Sequence, residues 1–222
     1  MVLSLRERAY SSENRFVVAL DGPSASGKGT IGRLLSQRFN LKYFQSSIVY
    51  RGLALMCIDQ EVNLNDITKI ILLSTSPSII EYAQNKDLNN ENIADVASRI
   101  AIIPEVRKNL GIHLIKLIEK THRIIMEGRD IATVIAPDAD LKIFIIADIN
   151  TRAERRYKEL HAQGKNCILP DILNQLKARD LRDQEREVAP LRSSPDSLVI
   201  DTSHITPMQV VEKIQEFIDI SR

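Results

Sequence analysis

The residues with the most legible chemistry in this sequence are Gly22, Pro23, Ser24, Ala25, Ser26, Gly27, Lys28, Gly29 and Thr30, in that order. Two glycines stand five positions apart, a lysine follows at once, and a threonine comes close behind. Glycines let backbone N–H groups turn inward on a polyphosphate with no side chain in the way. A helix that begins at such a loop adds the partial positive charge of its N-terminus. Lys28 adds a mobile full charge for the outer phosphates. The common form of the motif has Ser or Thr directly after the lysine. Here Gly29 intervenes, so the hydroxyl able to meet magnesium is that of Thr30, displaced by one residue.

A phosphate loop by itself gives a nucleoside triphosphate site. A second anion site is what separates a kinase from a triphosphate-driven switch. Arginine suits that task because its planar fork pairs bidentately with phosphate. Arg51 follows Ser46 and Ser47 by about one helical turn. Arg129 falls at the end of an apolar run. Arg152, Arg155 and Arg156 share one helical face, and Arg179, Arg182, Asp183 and Arg186 share another. The two clusters bracket Gln163-Gly164-Lys165, a turn. Two basic helices joined by a turn suit a lid that folds over a triphosphate. Salt bridging within each helix, with Asp180, Asp183, Glu185 and Glu187 interleaved, is the plainer reading of the same pattern. Arg33, Arg38, Arg99 and Arg123 read as solvated surface charges.

The elements that must position these residues follow from periodicity. An apolar run at 16–21 reads as a strand leading into the loop. Ile31, Leu34, Leu35 and Phe39 have helical spacing and make 28–39 the helix after it. A short strand is expected at 41–44 and a helix at 48–58. The stretch 59–103 is rich in Asn, Asp and Ser and reads as a small helical insertion, with helices at 66–73 and 90–103. Pro104 opens a helix over 104–119. A strand at 122–126 ends at Glu127-Gly128-Arg129-Asp130, and 141–147 is the most continuous apolar run, suited to the middle of a parallel sheet. Helices are expected at 150–163 and 170–186, a strand at 197–200, and a last helix from Thr206-Pro207 onward. Residues 1–14 read as a frayed, polar start. The alternation predicts an α/β fold, a five-stranded parallel sheet flanked by helices with right-handed crossovers. One domain, 1–222, is expected. Its core (15–58, 104–150 and 193–220) is interrupted by the insertion 59–103 and the lid 151–192. Ligands of such sheets bind beyond the carboxyl ends of the strands, which is where 22–30, Ser46, 127–130 and the segment after Asp148 all begin.

Composition narrows the classes. A chain of 222 residues, 44% hydrophobic, buries a sizeable core. Lys and Arg number 30 against 29 Asp and Glu, a net charge of +1, which gives no support for broad nucleic-acid binding. No apolar run approaches the roughly 18–20 residues of a membrane span, and 1–14 lacks the apolar core of a signal peptide. A cytoplasmic location with no membrane partner is expected. Cys57 and Cys167 lie far apart without metal spacing and read as a reduced pair. The four histidines are scattered, with no zinc pattern.

Taken together the motifs resemble the bacterial-type cytidylate kinases, nucleoside monophosphate kinases of the P-loop class. The likeness covers about 16–218. It rests on Asp21 through Thr30, on Ser46 with Tyr50-Arg51, and on Ala97-Ser98 with Pro104-Glu105-Val106-Arg107. It rests also on Glu127-Gly128-Arg129-Asp130 followed by Thr133-Val134, and on Arg179-Asp180, Arg182-Asp183, Arg186 and Ala189-Pro190-Leu191. The resemblance implies transfer of the γ-phosphoryl of ATP to CMP or dCMP, with Mg2+ carried mainly by ATP, in pyrimidine nucleotide metabolism. It implies that Ser46, Arg51 and Arg129 hold the acceptor phosphate, and that Ser98, Arg107 and Asp130 read cytosine. Arg179 and Asp183 would meet the sugar, and Arg186 the nucleotide phosphate or base. Lys28, Arg129, Arg155 and Arg156 would carry the catalysis. The chemistry agrees, because cytosine's exocyclic amine donates and an Asp accepts. Three departures stand out. Gln45 replaces a usual Asp, Ser47 replaces a usual Gly, and the stretch between Leu73 and Asn90 is short for the small antiparallel sheet of the family's insertion. A monomer acting on small nucleotides is expected. The rivals are a kinase of the same fold with UMP or a carboxylated metabolite as acceptor, and a GTP-dependent switch. The switch has only Asn85-Lys86-Asp87 to support it, with its Asp one residue too early.

Overall fold

Strand β1 (Phe16–Asp21) is buried along its whole length, and the rest of the sheet is built around it. The computed structural model describes residues 3–84, 88 and 90–221. Among them, β2 (Lys42–Gln45), β3 (Arg123–Gly128), β4 (Leu141–Ile146) and β5 (Leu198–Asp201) complete an all-parallel sheet in the order β2-β3-β1-β4-β5. The chain enters at the centre with β1, passes to the edge at β2, returns to β3 beside β1, and then crosses to fill the other side with β4 and β5. Register places Asp21 level with Gly128 and Phe144, and Gln45 level with Glu127, so the strand ends that carry polar residues finish side by side.

Alternation along β1 feeds two cores. Val17 and Ala19 face one, Phe16, Val18 and Leu20 the other. The first lies under α3 (Ser47–Asp59), α4 (Ile67–Ser74), α5 (Ile79–Gln84), α6 (Glu91–Ile100) and α7 (Pro104–Lys120). The second lies under α1 (Leu5–Tyr10), α2 (Lys28–Arg38) and α10 (Pro207–Ile220). A third, small cluster holds α8 (Ile149–Ala162) to α9 (Leu169–Glu185) through Ala153, Leu160, Ile172 and Leu176. Parallel strands with helices on both faces are the α/β fold the alternation predicts, with strand and helix positions within a few residues of expectation.

Three elements differ from the sequence reading. Residues 3–14 are not a frayed start. Helix α1 is opened by a capping box of Ser4 and Glu7, and its Ala9 is fully buried. Arg123 is not a solvated charge either: its guanidinium donates to the carbonyls of Arg8, Ala9, Ser11, Asn14 and Phe39 and lies over the Phe16 ring. Short helix α5 escaped notice because its run is scarcely two turns long. The third is a π-helical turn at Ile131–Ile135, whose first two N–H groups, those of Ile131 and Ala132, donate to the Asp21 carboxylate. The described part of 59–103 is helical, as expected. Asn85-Lys86-Asp87 lies outside the described residues.

Candidate active site

The loop after β1 is shaped by two glycines. Gly22 has φ +146°, and a Cβ there would stand 2.0 Å from the Ile145 carbonyl oxygen of β4, so the chain clears its neighbour only without a side chain. Gly27, at φ +92°, caps α2 from the left-handed region. Gly22 and Pro23 are buried beneath the loop, while residues 24–30 line an adjoining cleft of about 970 Å³. Lys28 is 4% exposed and donates to the Pro23 carbonyl (2.6 Å) and to Ser26 Oγ (3.4 Å). Burial, reinforced by Arg129, pushes its ammonium down to about 7, against the pull of Glu127 and Asp21. A polyanion beside such a lysine would favour its charged form. Asp21, below it, is pushed up by burial to about 6 in spite of its two backbone hydrogen bonds.

Arginines from two elements brace the loop. Arg129, just past β3, donates to Ser24 Oγ (2.7 Å), and Arg152 at the start of α8 donates to the Ser24 carbonyl (3.1 Å). Arg155 reaches Thr202 Oγ1 (3.1 Å) and the Ser26 carbonyl (3.4 Å). Thr202, beside β5, itself donates to the Ser26 carbonyl (3.1 Å). Sequence reasoning missed Thr202, since a lone threonine after a strand carries no signal. It grouped Arg152 with the lid arginines. The structure buries Arg152 between the loop, the Ala147 carbonyl and Asp180, which makes it an anchor for α8.

Across the cleft stand the residues expected to form the second anion site. Ser46 N–H donates to the Glu127 carbonyl (2.9 Å), and the Ser46 side chain is buried beside Gly128. Arg51, one turn into α3, donates to the Leu88 carbonyl (3.2 Å). Arg107 on α7 is buried; its Nη2 pairs with Asp130 Oδ2, and its Nη1 donates to the Ala101 carbonyl (3.2 Å). Asp130 Oδ1 lies 3.8 Å from Arg186 Nη2, beyond hydrogen-bond length. Tyr50 flanks this pair, its ring centroid 5.4 Å from the Arg107 guanidinium carbon, and burial pushes its hydroxyl up to about 12.

Asp183 on α9 accepts from Arg129 Nε (3.0 Å) and Arg186 Nη1 (3.5 Å). Burial by itself would raise the Asp183 carboxyl, but Arg129, Arg179 and Arg186 together outweigh it and hold the group below the ordinary carboxylate value. Arg179 is pushed down to about 10, by burial first and then by Arg129. Buried polar atoms normally have partners. Here Ser98 Oγ and the Nε atoms of Arg51, Arg107 and Arg179 have none, nor has Arg186 Nη2. All five belong to residues lining the one cleft.

Arg156 also lines the cleft, but its guanidinium is directed to Glu91 and to Glu159 (2.8 Å). Arg33 lines it too and is exposed, as expected of a solvated charge, with its guanidinium over the Tyr43 ring. Arg38 reaches Gln215, and Arg99 is exposed. Gln45 donates to Glu127 Oε1 (3.2 Å), whose other oxygen accepts from the Tyr43 hydroxyl (2.5 Å). Among the described residues no group of three or more His, Cys, Asp or Glu side chains is placed to hold a metal ion. Thr30 and Glu127, one hydroxyl and one carboxylate, are among the oxygen donors that line the cleft beside the loop. That is a set for magnesium that keeps most of its waters and arrives on phosphates.

This arrangement has relatives. The family model described as cytidylate kinase matches residues 18–219, from β1 into α10. A cytidylate kinase of Rickettsia canadensis (strain McKiel) is 54% identical, covering 99% of both chains. One of Rickettsia bellii (strain OSU 85-389) is 56% identical over 97% of this chain and 98% of its own. Among solved structures, a gluconokinase from Sinorhizobium meliloti 1021 superposes with a TM-score of 0.52 at 13% identity, covering 92% of each chain, a likeness of fold alone. Agreement from the loop strand to the last helix, at more than half identity, leaves one conclusion: the chain belongs to the cytidylate kinase family.

Proposed function

We propose that the chain transfers the γ-phosphoryl of ATP to CMP or dCMP, giving ADP and CDP or dCDP. The observation that carries this reading is the pairing of two sites in one cleft: a phosphate loop with a buried, charge-starved lysine, and opposite it Asp130 with Arg107, Arg186 and the unpartnered Ser98 hydroxyl. The first suits a triphosphate. The second suits cytosine, whose amine can donate to Asp130 Oδ1 and whose ring nitrogen and carbonyl can accept from Arg107 and Ser98. Ser46, Arg51 and Arg129 hold the acceptor phosphate, Arg179 and Asp183 the sugar, and Arg186 the acceptor's phosphate or base.

In this scheme the sheet and its flanking helices are a frame, α4 to α6 an acceptor-binding insertion, and α8 with α9 a lid. The acceptor is already an anion, so no strong general base is needed. The chain's work is to align donor and acceptor in line and to neutralise charge with Lys28, Arg129, Arg155 and Arg156. Thr30 and Glu127 would hold magnesium through its waters, and the ion would supply further charge neutralisation at the donor phosphates. A closed lid excludes water and suppresses hydrolysis of the donor. No helix among the described residues is long and apolar enough to cross a membrane, and a monomer working on free nucleotides fits this site. A coupled ADP-release assay across the nucleoside monophosphates tests the proposal: CMP and dCMP should drive release well above UMP, AMP and GMP, and ADP release independent of any acceptor would refute it.

A further inference from the structure

Two carboxylates on the rim of the cleft have no part in this scheme. Glu91 and Asp95 stand on α6, four residues apart, and Ser98 follows three residues on, so the three share one helical face. Negative charge beside a triphosphate site weakens anion binding unless it serves another purpose. The purpose is visible in their partners. Glu91 Oε1 accepts from Arg156 Nη2 of α8. Asp95 Oδ1 accepts from Nη1 (3.1 Å) and Nη2 (3.0 Å) of Arg182 of α9. One helix thus holds both helices of the hairpin. The apolar contacts of that hairpin are largely its own, Ala25 being the one partly buried neighbour from outside it. The hairpin is therefore tied to the frame mainly by the hydrogen bonds and ion pairs of its arginines rather than by a shared apolar core.

We propose that Glu91 and Asp95 are positioning residues that couple the two nucleotide sites. An acceptor base that engages Ser98 fixes α6. The fixed helix presents Glu91 and Asp95 to Arg156 and Arg182, and so draws α8 and α9 over the donor. The inference rests on the reading that Ser98 meets the acceptor and that the hairpin closes on ATP. Its thermodynamic content is reciprocal: CMP tightens ATP binding, and ATP tightens CMP binding by the same factor. Side-chain exposures of 24% and 43% for Arg156 and Glu91, and of 31% and 53% for Arg182 and Asp95, make the coupling modest and salt-sensitive.

The test compares the full-length wild type with the double variant Glu91→Gln, Asp95→Asn. A non-hydrolysable ATP analogue is titrated by calorimetry with and without saturating CMP, at low and at high salt. In the wild type CMP should lower the Kd of the analogue, less so at high salt. In the double variant that ratio should shrink by about threefold to tenfold, with CMP binding alone within about twofold of wild type. The charge-swapped pair Asp95→Arg, Arg182→Asp should recover part of the ratio lost in Asp95→Arg alone, a rescue that a merely structural role does not give. An unchanged ratio in the double variant, or no ratio in a wild type that releases ADP in response to CMP, overturns the coupling and leaves the kinase reading standing. A wild type without CMP-dependent ADP release removes both.

Discussion

At the scale of single residues, Lys28 and Asp130 carry the sharpest consequences. Lysine ordinarily holds its proton to about pH 10.4. Burial brings Lys28 down to about 7, so in the free protein it is mostly neutral above that pH. A polyphosphate beside it favours the charged form and raises the value again. ATP binding should therefore take up close to one proton at about pH 8.5 and almost none at about pH 5.5. Calorimetry in buffers of different ionisation enthalpy measures this directly. Lys28→Met should leave the fold intact, as judged by its thermal melt, while lowering turnover by about a hundredfold or more. In the proposed scheme Asp130 decides base choice. Its Oδ2 is taken by Arg107 and its Oδ1 is left to accept, which suits cytosine's amine and opposes uracil's carbonyl. CMP should exceed UMP in kcat/KM by about tenfold to a hundredfold, on the order of 1.4–3 kcal/mol. Asp130→Asn keeps an acceptor for Arg107 and turns the other arm into a donor, so it should cost CMP more than UMP and narrow the ratio. Equal losses for both substrates would mean that Asp130 acts on phosphate or metal instead.

Helices α8 and α9 set the prediction at the scale of elements. They share a small core of four buried side chains and meet the loop and α6 through arginines: Arg152 to Ser24, Arg129 to Asp183, Arg156 to Glu91 and Arg182 to Asp95. Ion pairs at a wet interface re-form cheaply, whereas strands β1 and β3 are locked by cores on both faces. Amide exchange should therefore be faster across α8 and α9 than in β1 and β3, and should slow in α8 and α9 when ATP analogue and CMP are added together. Equal protection with and without ligands would count against a closing lid.

The whole molecule divides its labour between the two edges of the sheet. At the carboxyl ends Asp21, Gln45, Glu127 and Thr202 surround the site. At the opposite edge Arg123, the first residue of β3, ties α1 and the turn after α2 to the frame through six carbonyls within hydrogen-bond range. Arg123→Ala should lower stability by about 2 kcal/mol, since it strips a charged donor from several part-buried acceptors. For a chain of this size that is about 4–8 °C in Tm. Acceptor-dependent turnover at a temperature well below the melt should stay within about twofold of wild type, because the residue lies at the far end of β3 from the cleft. A loss of turnover matching the loss of Tm would contradict this division.

Much of this was legible in the residues themselves. The loop from Gly22 to Thr30, the strands and the long helices are encoded locally, in glycine spacing and in periods of two and of 3.6. The arginines of α8 and α9 are grouped for the same reason, since helical spacing puts them on one face. What the sequence could not decide is which charge meets which. Arg107 pairs with Asp130 across 23 positions, Arg156 with Glu91 across 65, and Arg123 with carbonyls more than 80 positions away. Arg123 and Arg152 look like any surface arginine in one dimension, and only the packing of α1 and of the loop buries them. Local pattern fixes where a side chain starts, but whether it ends as a solvated charge, an anchor or a hand on a phosphate depends on burial and on partners brought from far along the chain, and those exist only in the folded molecule.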